Sequence, residues 1–118
     1  MPVRRLLITL VVVGWVGTTL LAQQGLSTYE RITVGDTAVG IATTTTNPTG
    51  RVQMNTCEVR PETASVRFRD DGTDPTVDVG SPLDDNDILT LPTNVIARAI
   101  RFIRTSTTTT YVHVRCHP

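Results

Sequence analysis

Ala64-Ser-Val-Arg-Phe-Arg69 alternates apolar and polar residues, and so do Tyr29–Val34, Ala99–Arg104 and Tyr111–Cys116. A period of two sends successive side chains to opposite faces of an extended chain, so each segment presents one apolar face that must be covered. Ala38–Ala42, Val52–Val59 and Ile88–Leu91 add three more short runs. Gly35-Asp36, Asn47-Pro48-Thr49-Gly50, Pro61 and Asp71-Gly72 interrupt the runs, and these are residues that bend or end strands. About seven short strands with turn signals between them predict an all-β chain, a single small antiparallel β-sandwich or barrel over residues 23–118. Asn94–Arg98 is the one stretch that reads as a helical turn. Pro61 is expected to stop the strand before it, and a long acidic loop is expected to run on to Asp87. The alternation turns Val66, Phe68, Phe102, Val112, Val114 and Cys116 inward and leaves Tyr111, His113 and Arg115 on a polar outer face.

Composition sets the scale. Hydrophobic residues make up 39% and aromatics 4%, enough for one modest core. Threonine runs at Thr43–Thr46 and Thr105–Thr110 favour extended backbone and exposed loops, because β-branched side chains stiffen χ1. The 11 basic residues, all arginine, balance 11 acids to a net charge of zero. Nucleic acid is therefore not an expected partner, since neutralising phosphates takes a basic surplus on one face.

Arg4 and Arg5 precede an apolar run from Leu6 to Ala22, and polar Gln23-Gln24 follows. Residues 1–22 read as a secretory signal peptide cut after Ala22, or, if uncleaved, as a hydrophobic anchor helix at the lower limit of a bilayer span. A start codon misassigned upstream of a soluble protein is the third reading. A membrane would be reached only through this segment. Behind a signal, the two cysteines, Cys57 and Cys116, are expected to form a disulfide. Closing a loop of about 60 residues would stabilise the fold by about 4 kcal/mol in the chain-entropy model. Two buried free thiols are the alternative.

Phe68-Arg-Asp-Asp-Gly-Thr-Asp-Pro-Thr76 is the most chemical-looking stretch. Asp70, Asp71, Asp74 and Asp78 could offer oxygens to calcium, with Asp84, Asp85 and Asp87 nearby. The spacing is not that of an EF-hand: the position that demands glutamate falls on Ser81 or Pro82. Turn chemistry accounts for the same residues, since glycine after Asp71 accepts positive φ and Asp74-Pro75 begins a second turn. His113 and His117 have no catalytic neighbours in sequence, no serine sits in a nucleophile elbow, and no glycine loop cradles phosphate. The expectation is a protein that is not an enzyme, with no metal site and no cofactor.

The run Val66-Arg-Phe-Arg-Asp-Asp-Gly-Thr-Asp-Pro-Thr76, then Val79-Gly80, Leu83, Asp87-Ile88-Leu89, Arg101-Phe-Ile-Arg104 and Tyr111-Val-His-Val114, resembles small all-β proteins encoded among the structural genes of tailed bacteriophages. Ile32–Ile41 is similar to the opening strands of that group, so the likeness covers about residues 29–118. It implies a non-enzymatic virion component, such as a head-decoration or tail-associated protein, that docks on other virion proteins as a homo-oligomer. The same turn is also similar to the accessory β-sandwich domains of chitobiase-type surface glycosidases. That likeness implies a secreted or cell-surface binding module whose partners are surface proteins. Carbohydrate stacking would fall to Tyr29 and Tyr111, the aromatic residues not turned inward or placed in the leader.

Overall fold

The computed structural model describes residues 26–118. The leader or anchor helix read from residues 1–22 lies outside the described residues. Eight strands are found among the described residues: β1 (Thr28–Val34), β2 (Val39–Gly40), β3 (Thr56–Glu62), β4 (Val66–Arg69), β5 (Ser81–Leu83), β6 (Leu89–Leu91), β7 (Arg101–Arg104) and β8 (Thr110–His117). Two short helical segments join them, α1 (Thr43–Thr46) and α2 (Asn94–Ala99). The strands form two four-stranded antiparallel sheets, ordered β1-β8-β3-β6 and β2-β7-β4-β5.

The inner faces of the two sheets meet in one core. Ile32, Val34, Val59, Leu91, Val112 and Val114 come from the first sheet, and Val66, Leu83 and Phe102 from the second. Met54, Ile41, Ala97 and Ile100, from outside the two sheets, belong to the same cluster. Phe68 is half-buried and packs against this cluster, so the alternation of β4 and β8 has the expected sense.

Cys57 and Cys116 are disulfide-bonded and buried in this core. They are register partners across β3 and β8, with Cα atoms 4.0 Å apart, the close spacing of a pair that exchanges no backbone hydrogen bonds. That spacing fixes the phase of β3. Pro61, four residues further on opposite Val112, has the same phase, so the side where an N–H would stand faces away from β8. On that side β6 pairs only with Cys57–Val59. The missing donor costs no ladder bond, and the strand runs through Pro61 to Glu62 instead of stopping there.

Four other expectations change. The acidic loop is shorter than expected because Ser81-Pro82-Leu83 pairs with β4 as an eighth strand; Pro82 is tolerated on a sheet edge. The segment 52–59 becomes strand only from Thr56, and 38–42 only over Val39–Gly40. Thr43–Thr46 forms a helical turn rather than extended chain. Its start is held from β1, where the Glu30 carboxylate accepts the Ala42 N–H at 3.0 Å and the Thr45 hydroxyl at 2.8 Å. The expected turn at Asn94 is α2, capped by the Thr93 hydroxyl accepting the Ile96 N–H. Buried Asn94 ties α2 to α1 by donating its amide to the carbonyls of Met54 (2.7 Å) and Thr46 (3.2 Å).

Candidate functional site

Residues 70–80 connect β4 to β5 as one wide turn. Asp71 is committed within it. Its carboxylate takes both arms of the Arg69 guanidinium and the Thr73 N–H at 3.1 Å, and the Arg69 hydrogen bond is the main reason its carboxyl lies below the ordinary value. Gly72 sits at φ 80°, a conformation that suits glycine. Among the described residues no three Asp, Glu, His or Cys side chains converge, so Asp70, Asp71, Asp74 and Asp78 are not assembled as a ligand set. The second half of the loop folds back over the outer face of the second sheet. Pro75 is buried there, and the φ of 143° at Gly80 suits glycine, where a Cβ would stand a tight 3.1 Å from the Phe68 carbonyl. Arg67 holds the loop from beneath, donating Nε to the Val77 carbonyl at 2.7 Å and Nη1 to that of Gly80 at 2.9 Å. Thr76 and Val79 exchange backbone hydrogen bonds across the tip at 2.9 and 3.3 Å. Val77 and Val79 are held outward, 51% and 52% exposed.

A second feature lies on the outer face of the first sheet. The strand order β1-β8-β3 makes Arg31, His113 and Arg60 neighbours in one cross-strand row, and Tyr29, Arg115 and Glu58 neighbours in the next. His113 joins three strands by bonding diagonally. Its Nε2 lies 2.5 Å from the Glu62 carboxylate, which can only accept, so Nε2 carries a proton; in the neutral ring Nδ1 then accepts from the Tyr29 hydroxyl. That hydrogen bond is the main cause that holds the Glu62 carboxyl below its ordinary value. Desolvation opposes it, and the charges of His113, Arg31 and Arg60 reinforce it. Arg31 completes the arrangement, with its guanidinium 3.6 Å from the centre of the Tyr111 ring and its Nε 3.8 Å from Glu62.

Where β6 gives out beside Arg60–Glu62, a groove of about 550 Å³ opens along β3. Tyr29, His113 and Arg115 line it from β1 and β8; Asp85, Asn86 and Ile88 line it from the loop entering β6. At its end Thr63 adopts φ 82°, an uncommon and strained conformation for a β-branched residue. The buried Thr110 hydroxyl fixes this corner, within hydrogen-bonding distance of the Glu62 carbonyl and of the Ala64 N–H at 3.3 Å. Sequence reasoning placed His113, Tyr111 and Arg115 on one outer face. It missed Tyr29, Glu58, Arg60 and Glu62 as their neighbours, because the order in which strands pair is not written in any one strand.

Fold and site together define a disulfide-stapled protein of two antiparallel sheets, with an apolar loop tip held by hydrogen bonds on one sheet and a polar groove on the other. Comparison with protein-family models, curated proteins and solved structures finds no match to this chain.

Proposed function

We propose that this protein is a non-enzymatic assembly module, a structural component of a phage virion of the capsid-decoration or tail-associated kind, acting by docking on neighbouring protein copies. The observation that carries the reading is the Val77–Val79 tip. Two large apolar side chains stand in solvent on a loop that Arg67 and the Thr76–Val79 backbone bonds keep in one conformation. Docking an already ordered loop loses little conformational entropy, and burying the exposed half of each valine gains roughly 1 kcal/mol apiece. The balanced charge supports a protein partner over nucleic acid.

Sedimentation equilibrium of the purified protein tests it. A homo-oligomer is expected, and the Val77→Ser/Val79→Ser double variant is expected to be monomeric with unchanged circular dichroism. A wild-type protein that is monomeric at high concentration would remove the self-docking part. Genes for capsid, portal or tail proteins flanking the reading frame would support the virion reading.

A second reading, an exported binding module of a bacterial surface, is favoured by the disulfide, because such bonds persist in oxidising compartments. Its expected genetic neighbours are secreted glycan-degrading enzymes.

A further inference from the structure

We infer that the groove along β3 is a binding site for a short, neutral oligosaccharide. Glu58, Arg60, Asp85 and Arg115 line the groove, and among the described residues none of them is in an ion pair. Glu58 and Arg115 are even direct cross-strand neighbours and still do not pair. These four groups sum to zero charge, and Glu62, the third carboxylate of the lining, has Arg31 beside it at 3.8 Å, so the groove strongly attracts neither an anion nor a cation. It offers instead an interleaved set of donors and acceptors. A sugar's adjacent hydroxyls each donate and accept, and planar carboxylate and guanidinium groups meet them two at a time.

The apolar part of the lining fits the same ligand. Tyr29 is 64% exposed and Ile88 62%, and they border the groove from opposite sides. A pyranose has a face of C–H bonds that lies against such surfaces. Tyr29 is also fixed in place, since its hydroxyl is hydrogen-bonded to His113, itself held by Glu62. The ring is thus presented without an ordering cost at the moment of binding. The groove volume, about 550 Å³, is that of a small-ligand site. It is an open trough, which suits one stretch of a chain. The inference goes beyond the assembly role and uses a different sheet from the Val77–Val79 tip, so the two fail separately.

Saturation-transfer NMR on the full protein with cellotriose, chitotriose and maltotriose tests it, with trigalacturonate as the acidic control. Transfer to at least one neutral trisaccharide is expected, with millimolar affinity. Tyr29→Ala and Glu58→Gln, both exposed positions, should each weaken it at least about tenfold while circular dichroism and melting temperature stay unchanged. No transfer to any neutral trisaccharide, transfer to trigalacturonate alone, or undiminished binding by both variants would each overturn the proposal.

Discussion

Cys57 and Cys116 are opposite one another on the inner faces of β3 and β8, the two central strands of the first sheet, and their bond joins positions 59 residues apart. The bridge therefore pins the register of the strand pair that also carries Glu62 and His113 on its other face. Replacing both cysteines by alanine is expected to lower stability by about 4 kcal/mol and the melting temperature by some 15 °C or more. Thermal unfolding of the variant, and of the wild type with and without reductant, checks this. A loss under about 1 kcal/mol would show that strand pairing alone sets the register.

Asn94 is the only buried side chain that hydrogen-bonds across both helical segments among the described residues. Asn94→Ala leaves the Met54 carbonyl without that donor and is expected to cost about 1–3 kcal/mol, read as a lower urea midpoint with unchanged slope. Asn94→Asp should cost more, because a carboxylate would face two carbonyl oxygens.

Thr63 carries its strain on the rim of the groove. Thr63→Gly removes the steric penalty at φ 82° at the expense of a looser unfolded chain, so a net gain of up to about 1 kcal/mol is expected. Thr63→Ala, which keeps a Cβ, should gain little. A marked loss of stability in the glycine variant would mean that the threonine side chain holds the corner.

Two carboxyls give the pH dependence its sign. Glu62 and Asp71 both titrate below their ordinary values in the folded protein, through hydrogen bonds from His113 and Arg69 respectively. The unfolded chain therefore binds protons first as pH falls. Their stabilising contribution is complete above the ordinary carboxylate range, near pH 4–4.5, and is lost as pH drops through the lower folded values. Asp71→Asn and Glu62→Gln should each flatten the acid limb of stability against pH. Both groups are exposed, so each effect should be small and weaken with added salt.

Much of the architecture can be read without coordinates where it depends on one strand at a time. Alternation in Val66–Arg69 and Tyr111–Cys116 told which side chains turn inward, because a strand's two faces follow from its own geometry. Thr93 before Asn94 is likewise a local signal, since its hydroxyl accepts the N–H of Ile96, three residues further on. Pro61 and Thr43–Thr46 were misleading for the opposite reason. Whether a proline interrupts a ladder depends on which neighbour its missing N–H would have faced, and the helical turn at Thr43 is set by a carboxylate that β1 supplies.

For this protein the order of residues determined the β class, the inward faces, the balanced charge and the presence of two cysteines able to bridge. The tertiary structure alone decided that β8 lies between β1 and β3, and with it the meeting of Tyr29, His113 and Glu62 and the gap beside Arg60. Those contacts join residues as far as 84 apart in the chain. Local backbone preferences act over a few residues and carry no information about pairing at that range.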